Sequence, residues 1–71
     1  MTREEFRLTL KRLGLSQAQA ASLFGVQVRS VERWLSGERD ISPTAIRFLR
    51  LYAALLRAGW SREAIDAIIQ A

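Results

Sequence analysis

Four glycines constrain this chain of 71 residues more than any other feature. Gly14, Gly25, Gly37 and Gly59 each follow a run with helical apolar spacing, where a left-handed residue commonly ends a helix. Helix-start signals fall between them. Thr2 with Glu5, and Ser16 with Gln19, have the spacing of capping boxes. Ser42 stands before Pro43, a cap followed by proline at the first helical position. Ser61 suits a last cap, with Trp60 and Ile65 spaced as a hydrophobic staple. This punctuation predicts five helices, at about 3–13, 17–24, 28–36, 43–58 and 62–70. No strand alternation, repeat or interdomain linker interrupts them, and the stretch "GERDIS" reads as a loop. The expectation is one all-α domain spanning residues 1–71.

Helices of eight or nine residues do not persist alone in water, so packing must hold them. Phe6, Leu10 and Leu13 form an apolar stripe on the first helix. Ala20, Ala21, Leu23 and Phe24 are expected to face inward on the second, and Val31, Trp34 and Leu35 on the third. The fourth is apolar over a wide arc. Ile46, Leu49, Ala53 and Leu56 make one line, with Phe48, Tyr52 and Leu55 beside it, while Arg47, Arg50 and Arg57 share another face.

Chemistry-bearing residues are few. Cysteine and histidine are both absent, so disulfides, thiolates and the common zinc, haem and nucleophile–base arrangements have no parts. The seven carboxylates are scattered, and Lys11 is the only lysine. No enzyme activity, metal or cofactor is expected.

The charge balance is lopsided: eleven basic residues against seven acidic leave +4, and ten of the eleven are arginine. A pI near 11.1 fits an anionic partner, nucleic acid or acidic lipid. It fits equally a solvated surface encoded by an arginine-favouring genome, and charge alone leaves both readings open. "MTREEFR" is charged from its third residue, unlike a signal peptide, and "LYAALL" is far short of a span of roughly 20 residues. A soluble, cytoplasmic protein is the expectation.

Residues 15–39, "LSQAQAASLFGVQVRSVERWLSGER", join two short helical runs at Gly25-Val26. Ala21 is small where two helices must approach, Gly25 accepts a backbone conformation that a side chain makes costly, and Val26 is expected to turn inward. With apolar Val31 following, this is helix-turn-helix spacing. If Val31, Trp34 and Leu35 are buried, the opposite arc carries Arg29, Arg33 and Ser36, with Glu32 at its edge.

These residues resemble the lambda repressor/Cro-type (XRE-like) helix-turn-helix family. The resemblance rests on Leu15-Ser16-Gln17, Ala21, Gly25-Val26, Val31 and the closing Gly37, and the helix layout extends it over about residues 3–57. Two positions depart from the family pattern. Gln27 stands where a Ser or Thr cap is more usual, and Leu35 where many members carry an acidic residue.

The resemblance implies a five-helix lambda-repressor-like domain whose second and third helices, about 16–37, bind double-stranded DNA sequence-specifically. It further suggests a repressor that occludes an inverted-repeat operator of a phage or mobile-element operon, including the small anti-CRISPR-associated autorepressors, and acts at the nucleoid. A recognition helix presents its early residues to base edges in the major groove. Arg29 and Arg33 then suit guanine, Gln27 adenine, and Val28 a thymine methyl. Backbone contacts are expected from Ser16 and Gln17 at the second helix start, Ser30 and Ser36 beside the groove, and Arg39, Ser42, Thr44 and Arg47 beyond it. Each has a blander use: the serines as caps or local turns, the arginines as solvated faces, Val28 as a flank of the core.

The C-terminal third carries more apolar surface than one small core needs. Trp60, Ile65, Ile68 and Ile69, with the helix at 43–58, suggest a homodimer interface, unless the last helix simply closes the monomer core. Two other functional classes stay open. One is an antitoxin- or excisionase-like accessory factor that anchors a partner protein on DNA; the other is a helical protein-interaction module without DNA binding. A lipid surface suits the chain less, since its basic residues do not line one long amphipathic helix. No small-molecule ligand is expected.

Overall fold

A computed structural model describes residues 1–71. Its elements are α1 (Arg3–Arg12), α2 (Gln17–Phe24), α3 (Val28–Ser36), α4 (Pro43–Arg57) and α5 (Arg62–Ile69), with no strand. The boundaries follow the local chemistry. Thr2 and Ser16 both close full capping boxes, with the side-chain oxygens of Glu5 and Gln19 accepting from the cap N–H groups. Those bonds from Thr2, backbone first and hydroxyl second, hold the Glu5 carboxyl below its ordinary value of 4.5. Ser42 and Ser61 accept from the N–H groups of Ala45 and Ala64. Three helices end one residue earlier than expected, because Leu13, Ala58 and Gln70 act as their C-caps.

The α2–α3 turn depends on Gly25, whose φ of 71° places it in the left-handed region. The Val26 N–H then reaches back to the Ala21 carbonyl at 3.0 Å. Val26 itself does not turn inward as expected. It is 37% exposed: the backbone bond fixes the turn without its burial, and Val26 borders a crevice together with Phe24, Trp34 and Phe48.

One core cluster joins α1 to α4 through Phe6, Leu10, Ala20, Ala21, Val31, Trp34, Leu35, Ala45 and Leu49. Trp34 meets Phe6 edge-on at 6.2 Å, and Phe24 meets Phe48 edge-on at 6.0 Å. Phe24 also lies near both Phe6 and Trp34, so this half-buried ring links α1, α3 and α4. On α4 the buried line is Ala45, Leu49 and Tyr52, whereas Ile46, Ala53 and Leu56 are half-buried. Weighting by side-chain size passes over Ala45, yet a small residue lets the start of α4 approach the core. Leu35, at the position of the second family departure, is buried, and its carbonyl accepts from Arg7 of α1 at 2.9 Å.

A second cluster of Leu23, Tyr52 and Ile65 anchors α5 against α2 and α4. The Arg62 guanidinium also donates to the Leu13 carbonyl, tying the start of α5 to the end of α1. Ile65 is therefore a core residue of the monomer, only 3% exposed, and not the interface residue expected from sequence. Its apolar side is used by the chain itself. No helix is long and apolar enough to cross a membrane.

Candidate nucleic-acid interface

The third helix is sharply two-faced. Val31, Trp34 and Leu35 are buried, while Arg29, Glu32 and Ser36 are exposed on the other side. Arg33 shares that outward side but is held back: its side chain is 31% exposed, and its Nε lies 3.8 Å from Oε2 of Glu38. Gln27 caps α3 through its backbone alone, with no side-chain cap bond. Its amide is thus left with both donor and acceptor, the pair adenine requires. Val28 is 42% exposed, so it faces outward and does not flank the core.

The hydroxyls behave differently. Ser16 is engaged in capping α2. Ser36 donates to the Arg33 carbonyl and accepts from the Glu38 N–H, which makes it part of the turn after α3. Ser42 caps α4, and Ser30 is half-buried. Gln17, by contrast, is the exposed first residue of α2, where backbone N–H groups lack helical partners.

Three shallow clefts gather the remaining candidates. Ser16 and Gln17 share one with Arg7 and Lys11 of α1. Ser42 and Thr44 share a second with Val26. Arg39 shares a third with Arg3, whose guanidinium lies over Gly37. Exposed Arg47 joins none of them. Arg7, Lys11 and Arg3 were not among the expected contacts. The i, i+4 spacing of Arg7 and Lys11 on a helix adjacent to a capping box is the signal that pairs them.

Elsewhere, α4 and α5 border an open groove of about 270 Å³ lined only by apolar side chains. Trp60 and Ile68 are 48% and 66% exposed there, and Ile69 is half-buried. Leu51, at 58% exposure, belongs to the same groove but was not singled out by the sequence pattern.

Two short helices locked at a left-handed glycine, the second with a basic outward face, define a DNA-binding helix-turn-helix domain. A family model described as helix-turn-helix matches residues 6–49, well over half of the chain. The protein belongs to the helix-turn-helix family of lambda repressor/Cro (XRE) type, whose members are sequence-specific DNA-binding transcription regulators. No curated protein and no solved structure matches the chain.

Proposed function

We propose that this protein is a repressor that binds an inverted-repeat operator as a homodimer and thereby blocks transcription of its own operon. The observation that carries the reading is the exposed face of α3, where Arg29, Arg33 and Gln27 stand opposite buried Val31, Trp34 and Leu35. Arginine offers two donors to guanine O6 and N7, so Arg29 and Arg33 read guanine while Gln27 reads adenine and Val28 packs on a thymine methyl. Gln17, Arg39, Thr44 and Arg47, with Ser30 at the edge of the groove, hold phosphates on either side. Arg7 and Lys11 add positive charge beside Gln17.

One recognition helix covers few base pairs, and a two-fold dimer places two such helices about one DNA turn apart. The apolar groove between α4 and α5, with Leu51, Trp60 and Ile68 exposed, favours that dimer. Repression by occupancy follows from a domain that offers a DNA-reading face and a self-association face.

The test is selection of bound sequences from a random DNA library, followed by footprinting on the promoter upstream of the gene. A palindromic site overlapping that promoter is expected. Recovery of a single asymmetric half-site would favour an accessory factor anchored by another protein, and recovery of no sequence would leave a protein-interaction module.

A further inference from the structure

The turn after α3 folds back onto Arg33. The Ser36 hydroxyl donates to the Arg33 carbonyl at 3.1 Å, and the Arg39 N–H donates to the same oxygen at 3.2 Å. Glu38 lies between those two donors in sequence, and its own N–H donates to the Ser36 hydroxyl at 3.3 Å. Left-handed Gly37, at φ 83°, allows the chain to reverse there. The backbone carrying Glu38 is therefore fixed relative to Arg33 before any side-chain pairing occurs. Its carboxylate then stands 3.8 Å from Arg33 Nε.

The edge that the carboxylate takes matters chemically. A guanidinium presents five N–H donors in a planar fork, and guanine needs two of them, directed at O6 and N7. A carboxylate on the Nε side leaves the terminal Nη1 and Nη2 groups to project together. A free arginine also loses rotamer entropy on docking, and one already restrained loses less. An arginine beside a groove can equally settle on a phosphate. A carboxylate next to it repels phosphate oxygens and disfavours that alternative.

Resting on the DNA-reading function proposed above, we infer that Glu38 is a positioning residue for Arg33. It holds the guanidinium from the Nε side so that the terminal fork faces guanine, and it raises specificity at the expense of general DNA affinity. Glu38 contacts no base in this arrangement.

The experiment compares the parent with Glu38→Ala, Glu38→Gln and Arg33→Ala. Each is put through random-library selection and then titrated against its best site and against unrelated DNA. Arg33→Ala is expected to lose a guanine preference at one position per half-site. Glu38→Ala is expected to weaken that same preference about two- to fivefold, the ordinary worth of an exposed ion pair, while binding unrelated DNA more tightly. Glu38→Gln, which keeps an acceptor but not the charge, should fall between. The Arg33 Nε–H resonance of the free protein should move in Glu38→Ala, since the pairing precedes DNA. If Glu38→Ala tightens binding to every sequence equally with the guanine preference intact, Glu38 contributes only charge and the inference is overturned. If Arg33→Ala leaves every preference unchanged, Arg33 is not a reader; the inference falls, and operator binding through Arg29 stands. A parent without sequence preference overturns the proposed function itself.

Discussion

The Arg7 guanidinium donates to the Leu35 carbonyl at 2.9 Å, joining α1 to the last turn of the recognition helix across 28 residues of sequence. The same side chain lies 3.6 Å from Glu4, but both partners of that pair are more than half exposed, so it adds little. The bond to Leu35 is the stronger of the two because it satisfies a carbonyl near a helix end with a charged donor. Replacing Arg7 with Met, which keeps much of the aliphatic stem, is expected to lower stability by about 1 kcal/mol in urea unfolding. Glu4→Gln should change it by much less. Equal effects would mean that the ion pair, and not the carbonyl contact, fastens α3 to α1.

Gly25 is expected to be sensitive through its backbone alone. No atom lies within 4 Å of where a Cβ would stand, so a side chain there meets strain but no clash. Gly25→Ala should cost about 1–2 kcal/mol, Gly25→Asn less, and Gly25→Val more. Thermal melts of the three variants check the order. Equal melting temperatures for parent and Gly25→Val would remove the left-handed turn from the account.

Base and phosphate contacts are expected to separate cleanly. Arg29→Ala should cost about 1–3 kcal/mol on the selected site and relax preference at one base pair per half-site. Gln17→Ala should weaken specific and unrelated DNA alike, without moving any preference. Titrations of both variants against both DNAs decide the matter. The reverse pattern, with Gln17 altering preference and Arg29 not, would exchange their roles.

Helix ends are legible in this sequence because capping is local. Thr2 and Glu5, or Ser16 and Gln19, are three residues apart, and spacing alone names the partners. The two-faced α3 is legible for the same reason, since Val31, Trp34 and Leu35 define its inner side and Arg29 the outer. Burial that depends on distant elements is not. Val26 stays at the surface although it borders a crevice with Phe24, Trp34 and Phe48, and Ile65 is buried because Leu23 and Tyr52 meet it from two other helices. Arg7 and Leu35 obey no spacing rule at all. By sequence Glu38 is one acid in a loop, and its nearness to Arg33 depends on the chain reversal at Gly37.

Tyr52 should make stability fall in alkaline solution. Burial in the second cluster, and then the nearby Asp66 carboxylate, raise its phenol above the ordinary 10.0. The unfolded chain releases the proton near that ordinary value, whereas the folded protein keeps it to higher pH. Between the two the folded state binds more protons, so stability drops as pH rises. The melting temperature of the parent is expected to decline from about pH 9.5 upward more steeply than that of Tyr52→Phe. Parallel declines would show that the phenol titrates alike in both states.

Ile65 and Ile68 of α5 give the sharpest test of self-association, because they face different neighbours. Ile65 is 3% exposed and packed with Leu23 and Tyr52, whereas Ile68 is 66% exposed at the rim of the apolar groove. A buried carboxylate without a partner is strongly destabilising, so Ile65→Asp should unfold α5 or the whole domain. A carboxylate at position 68 can stay in water in the monomer, and its cost arises only when a second copy covers it. Ile68→Asp is therefore expected to keep the parent's circular dichroism and melting behaviour at low concentration while losing the dimer in sedimentation at micromolar concentration. It should also lose the second half-site in footprinting, since one recognition helix then binds alone. Leu51→Asp, on the facing side of the groove, should behave as Ile68→Asp does. A parent that sediments as a monomer and protects one half-site would sink the dimer, and a dimer untouched by either variant would move its interface away from the α4–α5 groove.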